Sequence, residues 1–274
     1  MLVALLVPIP ATHLVALPPE LSYRLEDLCH PLVFATLAYL VARAMRALGA
    51  WTGAMSAIIL LAALGCFGAG TEFLQQYTGR DASFSDFGDD VLGSWIGIAL
   101  FCVPGTRAAP RRALRISIAA AVLLSIAPLG WILAAYTARH LQSPVLWRAG
   151  SRLLNTFAQR QQGEYPGLAL TEVPPDWHGF AALLVTVRNA DARNSVFYMR
   201  VDDAHHNQRY EDRYNGEFHI SAGTTATYRI SLTSILQAPA HRLMDLRRMT
   251  SVIVFQLREQ RQPPVELLEL RLSH

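Results

Sequence analysis

Residues 52–71 read TGAMSAIILLAALGCFGAGT, a run without a single charged side chain. A bilayer core about 30 Å thick is spanned by roughly 20 apolar residues in a helix, so this run predicts a transmembrane helix. Three further segments have the same character: 29–48, 88–105 and 114–136. The apolar stretch Met1–Leu17, although it contains Pro8 and Pro10, predicts a short first transmembrane helix. The N-terminal half is therefore predicted to be a transmembrane bundle of four or five helices.

Composition divides the chain into two unlike halves. Hydrophobic residues make up 52% of the 274 residues, and charged residues make up only 16%, against roughly 25% in soluble globular chains. Residues 1–137 hold eight of the 24 basic residues and eight of the 21 acidic residues. This distribution excludes a uniform soluble domain, a disordered chain and a nucleic-acid binder with a basic stripe. We expect a membrane half followed by a charged soluble half.

The arginines give the predicted helices an orientation, because cytoplasmic loops are enriched in basic residues. Arg43 and Arg46 precede one helix, and four more arginines fill the link before the last helix: Arg107, Arg111, Arg112 and Arg115. The loop 72–90 carries five acidic residues against one Arg and should face outward. All basic residues are Arg, which is typical of a GC-rich bacterial genome. We therefore expect a multi-pass protein of the bacterial inner membrane, with everything after residue 136 in the periplasm or outside the cell.

Polar side chains gather on both sides of this outward loop. Within each helix they are three or four positions apart, and such residues share one helix face. On the helix after the loop, Gly93 and Gly97 continue the face that carries Asp86 and Asp90. Their spacing lets another helix approach closely. The residues predicted to meet at the outer end of the bundle form what we call the bundle cluster: His30, Glu72, Gln75, Arg80, Asp86 and Asp90.

The same pattern resembles the signature of VanZ-like membrane proteins. The resemblance covers about residues 20–105 and implies a membrane location and a helical bundle, whereas the biochemical activity of that family is poorly defined. Asp90 stands where the family usually has Asn, and Glu26-Asp27-x-x-His30 departs from the family's Asp-Lys-x-x-His at its first two positions. The matching residues are Glu72-x-x-Gln75, Gly79-Arg80, Ser83, Asp86 and Gly93-x-x-x-Gly97.

Three roles are open for the bundle cluster. Ion pairs of Arg80 with Glu72 and Asp86 can fix the helix register, and water near the membrane boundary lowers the cost of such charges. The cluster can instead bind a polar headgroup, a lipid-linked glycan or a glycopeptide. As an alternative, Glu72 or Asp86 can accept a proton with His30 as partner. No nucleophile elbow, metal motif or phosphate-binding loop accompanies these residues.

Residues 164–274 predict an antiparallel β-sandwich. Six or seven short strands in about 110 residues are typical of such sandwiches. The segment 138–163 predicts an interfacial linker with a short amphipathic helix, because Trp147 and Arg148 suit a membrane surface. The predicted strands, chosen by alternation and by their flanking turn residues, are 168–173, 180–189, 195–202, 216–221, 225–232, 250–257 and 264–272.

A polar loop after the third of these strands is the candidate ligand site of the sandwich. Carbohydrate sites combine planar hydrogen-bonding side chains with an aromatic face. The residues that supply both are Trp177, Asp203, His206, Asn207, Arg213 and Asn215. Trp177 suits a core position equally well, and Asp202 with Asp203 suits a structural calcium site. Adjacent His205 and His206 point apart in such a loop, so no metal site is assigned to them.

The sandwich segment also resembles the galactose-binding-like jelly rolls found in carbohydrate-binding modules, and similar domains are appended to VanZ-like membrane parts. The resemblance implies carbohydrate binding without identifying a sugar. The residues that carry it are Tyr165-Pro-Gly, Pro175-Asp176-Trp177, Asp203-x-x-His206-Asn207, Asp212-Arg213-Tyr214-Asn215 and Arg242-x-Met244-Asp245.

Together these patterns predict a multi-pass envelope protein with a transmembrane helical bundle and an exported all-β jelly roll. It is expected to bind or sense an envelope glycan or a lipid-linked precursor through the sandwich and the bundle cluster. The alternative is an envelope enzyme with acid/base chemistry at Glu72, Arg80 and Asp86. The expected partners are the lipid bilayer and an envelope glycan, glycopeptide or lipid-linked precursor, without nucleic acid. No cofactor is expected apart from the structural calcium.

Overall fold

A computed structural model of the chain describes residues 17–75, 77 and 84–274. The predicted helix at Met1–Leu17, except for its last residue, and the predicted position of Arg80 lie outside these residues. The chain divides into two compact units, with the boundary between Leu133 and Ala134. The first unit is helical and the second is formed mainly of β-strands.

The first unit contains the four helices that the apolar runs from residue 29 onward predict, preceded by a short helix that no run predicts. Their bounds are α1 Pro19–Asp27, α2 Cys29–Ala47, α3 Ala54–Gln75, α4 Phe84–Cys102 and α5 Ala108–Leu141. Among the described residues, four helical segments are long and apolar enough to cross a membrane: Pro19–Ala47, Ala54–Leu74, Phe84–Gly105 and Ala108–Leu141. The predicted helical bundle is confirmed, and the chain is a membrane protein by the length and composition of these helices.

Helices α2 and α4 are in backbone contact at two glycines. A Cβ atom added to Gly93 would lie 2.4 Å from the carbonyl oxygen of Pro31, and one added to Gly97 would lie 2.1 Å from that of Ala35. Any larger side chain would therefore push the helices apart. The apolar core of the unit continues from this contact with Phe34, Ala38, Ala42, Leu60, Leu64, Ile98 and Phe101.

The second unit is a β-sandwich of two antiparallel sheets. Its strands are β1 Val145–Arg148, β2 Ala158–Gln161, β3 Gly167–Leu170, β4 Ala182–Asn189, β5 Ser195–Asp203, β6 Tyr214–Ile220, β7 Thr225–Ser231, β8 Met249–Phe255 and β9 Val265–Ser273. One sheet has the order β1-β9-β4-β7 and the other β2-β3-β8-β5-β6. The first strand, β1, pairs with the last, β9. Along the chain the pair β3–β8 lies inside this pair, and β5–β6 lies inside β3–β8. This nesting is the topology of a jelly roll, so the predicted fold is confirmed.

The segment 138–163 differs from the predicted interfacial linker. It contains the end of α5, strands β1 and β2, and a short 3₁₀ turn at Leu154–Phe157. Leu146 and Trp147 are buried in the core of the sandwich. The apolar residues of this segment therefore cover the sandwich core, and the segment belongs to the sandwich.

Strand alternation fills the core of the sandwich. Phe197, Met199 and Val201 on β5 point inward and are buried, as are Val185 and Val187 on β4. Each strand places every second side chain on the opposite face. The residues between the buried ones on β5 thus lie on the outer face of the five-stranded sheet, where they form part of the site described below.

Candidate functional site

Four members of the bundle cluster, His30, Glu72, Asp86 and Asp90, are buried on α2, α3 and α4. The Nδ1 atom of His30 lies 2.9 Å from Oδ1 of Asp90, whose side chain is 0% exposed. Arg80 and the side chain of Gln75 lie outside the described parts of the chain. The structure therefore brings together His30, Glu72 and Asp90, with Asp86 close enough to act electrostatically on His30.

Gly68 makes room for the buried carboxylate of Asp90. A Cβ atom at Gly68 would lie 2.8 Å from Oδ2 of Asp90. Gly68 is one helical turn before Glu72 on α3, so both residues present the same face to Asp90. One ligand atom from each of His30, Glu72 and Asp90 lies within 4.8 Å of the other two. These groups could hold a metal ion or exchange a proton along the imidazole–carboxylate pair.

In the sandwich, the predicted polar loop is held together by Arg242. Its Nη1 and Nη2 atoms donate to the two carboxylate oxygens of Asp203 at 2.6 and 2.8 Å, and its Nε donates to Asp212 at 2.6 Å. Burial favours a raised pKa for Asp203, but hydrogen bonds from Arg242 and from the backbone N–H of Asp245 outweigh it and hold the pKa below its usual value. The hydrogen bonds that Arg242 donates to Asp203 and Asp212 raise the pKa of Arg242.

The carboxylates of Asp202 and Asp203, which suit a structural calcium ion by their residue type, are bonded to protein side chains in this structure. Both oxygens of Asp203 accept hydrogen bonds from Arg242, and those of Asp202 accept from Nε of Arg200 and from Oγ of Ser251. Calcium requires carboxylate oxygens that are free to coordinate it. The loop is instead closed by protein hydrogen bonds.

Three further residues of the predicted ligand site have structural roles. Trp177 is 0% exposed and donates from Nε1 to the carbonyl oxygen of Pro174 at 2.8 Å, so its ring is in the core and offers no platform to a sugar. The His206 side chain is buried, with Nδ1 3.0 Å from the carbonyl oxygen of Asp212. Asn207 is exposed, but its amide oxygen accepts a hydrogen bond from the backbone of Arg209.

Arg213 and Asn215, in contrast, line a groove on the outer face of the five-stranded sheet. We call it the aromatic groove; its volume is about 640 Å³. The strand register explains its composition, because Tyr198 is opposite both Phe255 and Glu217, and Arg200 is opposite Asn215. The lining residues are Gln161, Tyr165, Tyr198, Met199, Arg200, Tyr210, Arg213, Asn215, Gly216, Glu217, Ile253, Phe255 and Leu257.

Three aromatic rings form a continuous surface in the groove. The rings of Tyr198 and Phe255 are stacked, with centroids 5.7 Å apart and an interplanar angle of 27°. Tyr165 meets Phe255 edge-on at 5.7 Å and is 52% exposed. Tyr210 is 68% exposed at the Arg213 end of the groove. Exposed rings of this kind bring apolar and hydrogen-bonding surface to a ligand at once.

The polar side of the groove is built on Arg213. Its Nε donates to Oδ1 of Asn215 at 2.9 Å, and Nδ2 of Asn215 donates to the carbonyl oxygen of Tyr210 at 2.8 Å. The guanidinium carbon lies 5.3 Å from the Tyr210 ring centroid. Burial lowers the pKa of Arg213, the positive charge of Arg200 lowers it further, and Asp202 opposes both effects. The side chain is thus fixed by neutral partners.

Several groove residues escape the sequence-based prediction: Tyr165 (quoted above only for the resemblance), Tyr198, Arg200, Tyr210 and Phe255. One local signal points to two of them. Tyr198 and Arg200 alternate with buried apolar residues, so they must lie on the outer face of their strand. Nothing in the sequence shows that Tyr165 and Phe255 lie beside them, because this requires the pairing of β8 with both β5 and β3.

The comparisons with known proteins add no relative. No protein-family model matches the chain, and no curated protein matches its sequence. The resemblance to VanZ-like proteins therefore depends on the quoted motif. The fold and the site define the class: a membrane protein with a helical bundle and a jelly-roll sandwich that carries an aromatic groove.

Proposed function

We propose that this protein binds a glycan of the bacterial cell envelope in the aromatic groove, and that the helical unit anchors it in the inner membrane. The observation that carries the proposal is the set of stacked and exposed rings beside Arg200, Arg213 and Asn215 on one sheet face. Sugar rings present apolar C–H faces to aromatic side chains and hydroxyl edges to planar polar groups, and the groove offers both kinds of surface.

The shape of the groove supports an extended ligand. It crosses β6, β5 and β8, from Tyr210 and Asn215 at one end to Tyr165 and Phe255 at the other. Large aromatic side chains exposed on a sandwich mark binding surfaces more often than scattered single residues do. The arginine-rich loops at Arg43 and Arg107 favour export of the sandwich, which would place the groove on the side of the membrane where envelope glycans are located.

The proposal is tested with the full chain in lipid nanodiscs, screened against an array of bacterial envelope glycans and then titrated with the best ligand. Tyr198→Ala and Tyr210→Ala are expected to weaken binding about tenfold each, which corresponds to ~1.4 kcal/mol. Leu243→Ala, at an exposed apolar residue outside the groove, is the control and should bind normally. Absence of any glycan binding, or wild-type binding by both tyrosine variants, would overturn the proposal.

A second candidate function is acid/base catalysis on an envelope substrate at the bundle cluster. One observation favours it: the imidazole of His30 is held 2.9 Å from a fully buried carboxylate, with Glu72 nearby. A carboxylate that orients an imidazole is a recurring arrangement in general-base catalysis. The sequence also predicts Arg80 and Asp86 as members of this site.

Genetic complementation separates the two candidates. A deletion strain is supplied with His30→Gln, with Glu72→Gln or with Tyr210→Ala, and resistance to detergent and to envelope-directed antibiotics is compared. Loss of complementation by the cluster variants alone, at normal protein levels, favours the enzyme. Loss by the groove variant alone favours the glycan-binding protein.

A further inference from the structure

The charge of the aromatic groove points to the class of its ligand. We infer that the groove is specific for an acidic glycan, and that a sugar carboxylate, as in a uronic acid, binds the guanidinium of Arg213. The inference rests on the proposed function, since it concerns the same groove. It adds which chemical group on the glycan is recognised and which side chain recognises it.

The first argument is an unbalanced positive charge. Arg200 forms an ion pair with Asp202, with Nε 2.7 Å from Oδ2. In the described part of the sandwich no carboxylate lies within ion-pair distance of Arg213, whose Nε is bonded to the neutral amide of Asn215. Arg200, Asp202 and Arg213 together therefore carry a net charge of +1.

The acidic residue of the groove does not cancel this charge locally. Glu217 is opposite Tyr198 in the strand register, in a different cross-strand row from Arg200 and Asn215. Its side chain is exposed, and its Oε1 lies 3.2 Å from Nε2 of His219. Solvent screens an exposed carboxylate strongly. Glu217 therefore does not neutralise the positive charge at Arg213, and that end of the groove can bind an anion.

The second argument is the geometry of the Arg213 side chain. Its Nε is already used, and Asn215 is itself anchored to the backbone at Tyr210, so the orientation of the guanidinium plane is set before a ligand binds. The two terminal nitrogens remain for the ligand. A planar guanidinium matches a planar carboxylate with two parallel hydrogen bonds, which gives it a geometric preference that a lysine ammonium lacks.

The third argument is the cost of holding this cation in the groove. Arg213 is partly buried against the Tyr210 ring, where burial and the neighbouring Arg200 disfavour its charged form. Hydrogen bonds to neutral sugar hydroxyls could be made by an amide side chain without that cost. An anionic ligand offsets the cost by supplying the counter-charge.

The test uses the full chain in nanodiscs of zwitterionic lipid, so that no anionic lipid competes. Calorimetry compares a uronic-acid oligosaccharide with the same oligosaccharide after reduction of its carboxylates to hydroxymethyl groups, and with sulfated and phosphorylated forms. We expect the uronate to bind at least about tenfold more tightly than the neutral form. The preference should decrease as NaCl is raised from about 0.05 to 0.5 M, because salt screens the charge.

Variants of Arg213 test whether this side chain causes the preference for the uronate over the neutral form. Arg213→Gln should abolish it while the neutral form still binds, and Arg213→Lys should restore only part of it. Arg229→Gln, on the outer face of the other sheet, is the matched control and should keep the full preference. Unchanged thermal unfolding of each variant shows that the sandwich is folded.

Each outcome is decisive for one of the two proposals. Equal binding of neutral and uronate forms, still dependent on Tyr198, overturns acidic specificity and leaves the glycan-binding function standing. A preference for sulfate or phosphate over carboxylate overturns the uronate assignment. A preference that survives Arg213→Gln overturns the role of Arg213. Binding of none of these glycans, nor of any on the envelope array, overturns the proposed function itself.

Discussion

Arg242 joins two carboxylates of the polar loop, and its removal should destabilise the sandwich. Asp203 is fully buried, so Arg242→Met removes the only cation paired with its charge in the described part of the chain. Breaking a buried pair in this way costs about 3–5 kcal/mol, and the partial exposure of Arg242 favours the lower end of that range. Urea unfolding of the variant is expected to show a loss of about 3 kcal/mol. Arg248→Met, at an exposed arginine nearby, serves as the control and should leave stability unchanged.

Because of the ion pair between Arg242 and Asp203, the stability of the sandwich should depend on pH. The pKa of Asp203 is lower in the folded protein than in the unfolded chain. Its contribution to stability is therefore complete above about pH 4 and is lost as the pH falls through the lowered folded-state pKa. The difference in Tm between wild type and Arg242→Met should be largest near neutral pH and should shrink below about pH 4. A difference that stays constant from pH 7 to pH 3 would show that Asp203 is not the group involved.

Among the helices, the contact between α2 and α4 is the one most sensitive to side-chain size. Gly97→Ala places a methyl group against the carbonyl oxygen of Ala35, and overpacking of this kind typically costs about 1–3 kcal/mol. Gly88→Ala on the same helix meets open space and should be neutral or stabilising by up to about 1 kcal/mol, because alanine is the better helix former. Thermal unfolding in detergent measures both. Equal stability of the two variants would contradict the close packing.

The sequence predicts those strands whose alternation of buried and exposed residues is visible within a short stretch of chain. Every predicted strand from 168–173 onward overlaps an observed one, because alternation is visible within a few residues. Strands β1 and β2 escape the prediction because the pattern of the segment 138–163 indicates an interfacial linker with a short amphipathic helix instead. The hydrogen bonds that close the polar loop escape the sequence for a related reason. Asp203 and Arg242 are 39 positions apart, and no pattern shows that they bond to each other.

The aromatic groove illustrates the same limit. Its residues come from separate segments around Tyr165, Tyr198, Tyr210 and Phe255, which only the strand register assembles. Arg213 and Asn215 were predicted because they lie in a visibly polar stretch. The rings were missed because isolated tyrosines on alternating strands are common and carry no signal until their neighbours are known.

For the whole molecule, the arginine distribution predicts which side of the membrane carries the sandwich. The described residues contain four candidate membrane spans, and this even number would return the chain to the side on which Pro19 lies. Because the arginine-rich links are expected in the cytoplasm, His274 should be exported. Alkaline phosphatase fused after His274 should be active, and the same enzyme fused after Thr106 should be inactive. The reverse pattern would contradict the topology and remove the groove from envelope glycans.

The extent of the sandwich leads to a prediction about fragments. Residues 134–274 should fold alone as a β protein, whereas residues 150–274 should be much less stable. The shorter fragment lacks β1 and with it the buried side chains of Leu146 and Trp147, and deletion of large core side chains costs about 2–5 kcal/mol each. Circular dichroism and urea unfolding of both fragments provide the measurement. Equal stability would mean that β1 is dispensable.

The pairing of β1 with β9 also determines when this sandwich can form during biosynthesis. Strand β9 is the last of the nine strands to be synthesised, yet it lies between β1 and β4 in the finished sheet. Contacts between such distant segments form slowly and only after the loop between them has closed. The sandwich therefore cannot be completed one strand at a time during synthesis. Until β9 has been synthesised the strands before it remain incompletely paired, exposed to proteases and in need of chaperones.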